Sequence, residues 1–443
     1  MLVHPRRSRH DASARSVAAL VVALVGVAFA ASGAAAGAQS QSPSAPATRA
    51  QLVERLPRAL SLARMRADLR ALERIADRNG GTRAVGTPGY AASVAYVRAQ
   101  LRRAGYGVRL RAFPFVEFLE HLEKGRQLQP VERVLPLEAL DYSPSTPRSG
   151  LRARVVPSGD GCTAADFGAV RGAIALVERG TCFFAVKAGN AEQAGAVGVL
   201  VFNNEAGPLD GTLGDPQATA IPVAGITRSL GLELAGTENA IVELELVTET
   251  REATSQNVTA DTQRGGGPVL IVGAHLDSVR AGAGINDNGT GVAAVLEIAR
   301  ALRTRGRPLT VRFAFWGAEE LGLFGSRAYA RTVGPESVVG YLNLDVLGSP
   351  SRQYAVYGSG RLATRLLRYL ERRGLRARTI DLQGRSDHAA FAQRGIPVAG
   401  LFAGGYACYH RACDRFANVD LTALDQLAEA AAFGVASVAP LQR

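Results

Sequence analysis

The chain has little lysine, histidine or cysteine, and no apolar run long enough to cross a bilayer. Of its 51 lysine and arginine residues only Lys124 and Lys187 are lysines, so arginine carries the formal charge of +12. Those arginines are scattered, with no aromatic residues interleaved, which argues against a nucleic-acid surface. The densest stretch, Arg361 to Arg378, reads as the solvated face of a helix. The longest apolar run, Val17 to Ala31, has 15 residues. A membrane helix needs roughly 20. No cysteine follows that run, so neither a lipid anchor nor any stable membrane attachment is expected.

What remains is the composition of a globular protein. At 443 residues, 47% of them hydrophobic and 20% charged, the chain can bury a core and form two domains. Arg6, Arg7, Arg9 and Arg15 precede the apolar run, and small residues ending in Ala36-Gly37-Ala38 follow it. That order predicts a cleavable signal peptide over residues 1–38, hence a secreted or periplasmic protein. The pair Arg6-Arg7 is weak evidence for export in the folded state. A Ser-, Pro-, Ala- and Gln-rich linker covers 39–50. In an oxidising compartment an even number of cysteines favours disulfides, and proximity pairs Cys162 with Cys182 and Cys408 with Cys413. The rival reading, zinc ligation by cysteine, lacks the close Cys pairs of structural zinc sites.

Three regions follow. Residues 51–134 begin with helical periodicity from Gln51 to Ala76, then a glycine-rich loop, then a second helix from Tyr90 to Ala104. Residues 135–250 differ in texture: short apolar strands separated by Gly and Asn turns, one helix near Ala185 to Ala194, and no histidine. They read as a small α/β insert. Residues 251–443 alternate strand, loop and helix, which predicts a mostly parallel mixed sheet with helices on both faces. Ligand groups of such sheets collect at the carboxyl ends of strands.

The residues at those ends carry chemistry. His275 and Asp277 follow the strand Val269 to Ala274, two apart, so an imidazole could bind a metal while the carboxylate orients it. Asn286-Asp287-Asn288-Gly289 could be a capped turn, or could hold a carboxylate between two cations. Glu319 and Glu320 are adjacent at a strand end, where like charges repel unless a cation lies near. Asp345 ends an apolar strand, an expensive place for an unpaired charge. His410 sits between Cys408 and Cys413. Of the histidines beyond the leader, His275 and His410 lie in these motifs, His388 lies in Ser386-Asp387-His388, and only His121 stands apart. Imidazoles mixed with this many carboxylates suit zinc, and two ions better than one.

The strings GAHLDS, INDNGTG, WGAEELGLFGS, LNLDVLGS, GRSDHAAF and CYHRACD, in that order, resemble the M28 family of zinc aminopeptidases. The stretch from Gly161-Cys162 to Asn204 resembles a protease-associated (PA) domain, and GTRAVGTPGY resembles the N-terminal part of the family. The resemblance implies the zinc-peptidase fold with an inserted PA domain. It implies two zinc ions: His275 and Asp345 on one, Glu320 and His410 on the other, Asp287 bridging, with a cis peptide at Asp287-Asn288. Glu319 becomes the general base, Asp277 the partner of His275, Tyr409 a donor to the oxyanion, and Arg385 part of the pocket for the substrate's amino end. His388 supports the site rather than binding metal. The implied function is release of N-terminal residues from peptides with free amino termini. Carboxypeptidase or glutaminyl cyclase activity on the same fold, and a non-catalytic PA-bearing receptor, are the alternatives. Val346, Arg411 and Arg415 depart from the usual pattern. Asp425 could belong to a calcium site of some relatives, but Leu421 occupies the partner position and no calcium is expected.

Overall fold

The computed structural model describes residues 48–209, 211–262, 267–303 and 309–441. The expected leader, and the linker as far as residue 47, lie outside them. The first helix, Arg49–Arg55, is capped by the Thr48 side chain. A second helix, Leu62–Asp77, continues the periodic segment expected from Gln51 to Ala76. The segment is broken by a short turn at Pro57–Ala59, because proline has no N–H to donate and blocks a continuous helix.

The central strands are Val269–His275, Val311–Trp316, Val338–Leu344 and Val398–Phe402. All four run parallel to their neighbours in the set. Their side chains alternate between two cores, as the period of two requires. Leu270, Val272 and Ala274 face the larger core, built with the helices Thr290–Arg303 and Leu421–Val438. Val269 and Ile271 face the smaller one, with Trp316, Tyr341 and Phe391. Helices therefore cover both faces, and the four carboxyl ends share one edge. Antiparallel strands at the flanks make the sheet mixed.

The insert is joined to this sheet by an antiparallel ribbon that the sequence patterning did not reveal. Val108–Gln129 leaves along it and Ile241–Asp261 returns, paired from Val108↔Ala260 to Gln129↔Ile241. The returning strand belongs to both domains. Its end pairs with Val311–Trp316 of the main sheet, and its start pairs with Leu151–Pro157 of the insert. The boundary expected at residue 250 therefore falls inside one unbroken strand. The insert has its own core around Ile174–Glu178, Gly198–Phe202 and Val223–Ile226. The Cys162–Cys182 disulfide lies in it. Among the described residues, no helix is long and apolar enough to cross a membrane.

Glu117 ties the ribbon to the loop after His275. Its carboxylate is 3% exposed and accepts from Arg251 on the opposite strand (2.8 Å) and from Arg280 (2.7 Å). Both arginines are about half exposed and can rehydrate. Glu117→Ala should therefore cost only about 1–2 kcal/mol. A urea midpoint equal to that of the parent protein would show that this contact contributes nothing.

Candidate metal centre

Each loop at the shared edge delivers its side chains for a local reason. His275 is the last residue of its strand and is buried. Its Nδ1 donates to the backbone carbonyl of Asp277 (3.2 Å), which aims Nε2 at the cleft. The Asp277 carboxylate stands 3.8 Å from that ring nitrogen. It also accepts from the backbone N–H groups of Glu319 and Glu320 (3.3 Å each). Asp277 thus positions the histidine and the acid pair together, more than its sequence position implied.

Asp287 is held from behind. Asp414 accepts from the N–H of Asn286 (2.8 Å) and of Asp287 (3.0 Å), and Tyr406 donates its hydroxyl to Asp414 (2.9 Å). The Asp287-Asn288 peptide is cis. Asp345 is reached by a buried relay: Trp316 Nε1 donates to Tyr341, Tyr341 to Asn343, Asn343 to Ser386, and Ser386 to Asp345 Oδ2 (2.6 Å). His410 has a positive φ of 56° within the loop closed by the Cys408–Cys413 disulfide. Its ring stacks on Tyr409, with centroids 3.9 Å apart.

These side chains converge. His275 Nε2 lies 3.0 Å from Asp287 Oδ1 and 3.3 Å from Asp345 Oδ1. His410 Nε2 lies 3.5 Å from Asp287 Oδ2 and 3.0 Å from Glu320 Oε2. The two oxygens of Asp287 thus face different imidazoles. Glu319 Oε2 stands off at 4.0 Å from His275. Tetrahedral zinc with bonds of about 2.0–2.1 Å separates its ligand atoms by about 3.3 Å. The four close distances bracket that value. Among the described residues, Asp345 Oδ1 and Glu320 Oε1 are buried with no hydrogen-bond partner, so they have acceptor capacity that a cation would use. The donor set fits zinc.

The electrostatics agree. Burial alone would lower the His275 imidazole, but Glu319 and Asp345 raise it well above its ordinary value. His410, opposed by burial in the same way, is raised to about 11 by Glu320 and Asp287. Burial pushes Glu319 well above the carboxylate range, and Asp387, Glu320 and Asp345 add to it against the pull of His275. Burial also lifts Glu320 to about 7, against the pull of His410. The cluster demands positive charge.

Some expected residues stand elsewhere. Arg385 is exposed, and its Nε donates to Leu382 O (3.2 Å). It precedes Ser386 of the relay, but no ion pair draws it into the cluster. His388 packs on Tyr357, and His121 pairs with Glu249 on the exposed ribbon. Three positioning residues were not singled out from the sequence, although each lies in a string that carries the resemblance: Arg83 in GTRAVGTPGY, Asp414 in CYHRACD and Asn343 in LNLDVLGS. Arg83 is fully buried behind the site, donating to the carbonyls of Leu276, Ala283 (2.8 Å) and Gly284 (2.6 Å). Burial lowers its guanidinium to about 10, and the charges of Asp277, Asp414, Glu320 and Asp287 oppose the shift. Asp414 and Asn343 are the other two. Each is an ordinary polar residue until the fold brings its partners near.

The raised imidazoles make a thermodynamic prediction. In the metal-free protein at pH 7 both histidines hold protons that metal binding must displace. Zinc uptake should therefore release protons and tighten as pH rises. Titration calorimetry in buffers of different ionisation enthalpy reads this directly. Identical heats in all buffers would mean that the imidazoles are already neutral.

The profile of peptidase family M28 matches residues 257–435, and that of the PA domain matches 151–234. The probable lipoprotein aminopeptidase LpqL of Mycobacterium tuberculosis is 40% identical over 370 residues, covering 77% of this chain and 73% of its own. An aminopeptidase of Pseudomonas aeruginosa is 36% identical over 435 residues, covering 85% and 81%. Among solved structures, a zinc aminopeptidase from Bacillus subtilis superposes with a TM-score of 0.69 at 26% identity, covering 86% of this chain and 96% of its own.

Proposed function

The chain belongs to peptidase family M28, and from that premise we propose that it is an exported aminopeptidase that uses two zinc ions. The observation that carries the reading is the arrangement around Asp287, whose oxygens face His275 and His410 separately, with Glu319 alongside. His275 and Asp345 would hold one ion, Glu320 and His410 the other, and Asp287 both. When bound, zinc supplies Lewis acidity that polarises the scissile carbonyl and lowers the pKa of water.

The protein's own groups do the rest. Glu319 takes the proton of the attacking water and passes it to the departing amine. Its environment supports that role, because burial raises its proton affinity toward the working range. Asp277 fixes the Glu319 backbone and the His275 ring, so the base and a ligand share one reference point. Tyr409 donates to the oxyanion. Partial burial and the charges of Asp287, Glu320, Glu319 and Asp345 push its phenol up, so the donor keeps its proton. Arg385 would line the approach to the substrate's amino end. Peptides with free amino termini are the substrates, and the two disulfides suit an oxidising compartment.

Glu319→Ala should lower kcat by about 10³-fold or more while zinc content stays near that of the parent. Retained turnover in that variant would refute the assignment. Tyr409→Phe should lose about 10²-fold in kcat with a smaller change in KM. Leucine p-nitroanilide, an N-blocked peptide and an N-terminal glutamine substrate separate this activity from carboxypeptidase and cyclase chemistry on the same scaffold.

A further inference from the structure

We propose that Arg411 binds a carboxylate on the leaving portion of the substrate, at the mouth between the metal loop and the inserted domain. The inference rests on the aminopeptidase reading above and names a specificity determinant for it. Arg411 follows His410 directly and is exposed. Its backbone is anchored. The N–H donates to Cys408 O (3.1 Å) inside the disulfide loop, and the carbonyl packs so closely on Gly282 that a methyl group there would lie 2.4 Å away.

The inserted domain faces this side chain. A methyl group built on Gly207 would lie 4.0 Å from Arg411 Nη2. The Gly207 carbonyl and the neighbouring Pro208 carbonyl accept from Asn203 Nδ2 (3.4 and 2.9 Å), so that loop is organised. The insert meets the opposite metal loop as well. Tyr142 donates its hydroxyl to Leu321 O (3.4 Å), one residue past Glu320. Asp141 N–H donates to Gly211 O (2.9 Å), which connects the two contacts. The insert therefore walls the cleft from the Glu319–Glu320 loop to the Tyr409–His410 loop. Arg411 stands where that wall meets the second loop.

Charge selects the ligand. Several other arginines around the site already have carboxylates: Arg280 and Arg251 share Glu117, Arg415 pairs with Glu73 and Asp77, and Arg352 with Asp420, while Arg83 and Arg385 donate to backbone carbonyls. Among the described residues, the Arg411 guanidinium has no ion pair or hydrogen bond. An open planar fork of N–H donors matches a carboxylate in bidentate geometry. A peptide whose first carbonyl lies at the metal ligands sends its remaining residues outward along the wall. The carboxylate that meets Arg411 is either the C-terminus of a short peptide or an acidic side chain just past the scissile bond.

The test begins with leucine p-nitroanilide, which carries no carboxylate. Turnover of it by the parent protein establishes the peptidase reading independently of Arg411. Two ratios of kcat/KM are then compared between the parent and Arg411→Gln: Leu-Gly over Leu-Gly-amide, and Leu-Asp-amide over Leu-Asn-amide. One ratio should fall about fivefold in the variant, through KM, as expected for a partly exposed charge pair. Arg411→Lys should restore part of it, and about 0.5 M salt should shrink the parent's preference. A response in the first pair assigns the C-terminus as the ligand, and a response in the second assigns the side chain. Ratios equal in parent and variant for both pairs overturn the proposal.

Discussion

Carboxylates crowded into a buried cleft repel one another, and only cations make that arrangement tolerable. Asp277, Asp287, Glu319, Glu320, Asp345 and Asp387 stand within one site, against two imidazoles and one buried guanidinium. Asp387 is lifted to about 7 by burial, with the charges of Asp345 and Asp277 adding to it against the pull of His275. Such a cluster is costly in a metal-free protein, and bound zinc would relieve that cost. Glu319 stands farther from His275 than Asp287 and Asp345 do, and the proposed proton-carrying role rests on that separation.

Holding these groups together against repulsion falls to the backbone and to neutral polar residues. Asp277 grips the Glu319–Glu320 backbone, Asp414 grips the Asn286–Asp287 backbone, and the relay from Trp316 to Ser386 fixes Asp345. Asn288 adds a further brace, donating to Leu344 O and accepting from the Gly291 N–H. Trp316, Tyr341 and Asn343 sit on buried strands, Asp277 lies just past the end of another, and Asp414 lies in a loop. The precision of the site is therefore borrowed from the packing of the sheet.

The ribbon extends the same logic to the insert. Because Ile241–Asp261 is hydrogen-bonded in both sheets, the inserted domain is continuous with the scaffold rather than hung from a loop. Glu117 and Tyr142 then connect it to the loops that follow His275 and Trp316.

Much of this was legible in the residue order. The strand Val269–His275 and the helix Pro88–Arg103 lie close to where the patterning placed them. The parallel sheet follows from alternating strands and helices, and the five candidate ligands sit at strand ends or in the segments that follow them, which topology puts on one edge. Pro57 was the warning that the first long helix would break, and its meaning is local. The ribbon was not legible, because long-range antiparallel pairing leaves no mark in either strand alone. Nor was Arg83, since an arginine in a glycine-rich loop gives no sign that the carbonyls of residues 276, 283 and 284 will enclose it. The sequence by itself determined the elements, the apolar faces and the stock of chemical groups, since each depends on neighbours a few residues apart. Only the tertiary structure decided which oxygen of Asp287 faces which imidazole, how far Glu319 stands from them, and which arginines around the site are paired, because those distances join segments that the chain keeps far apart.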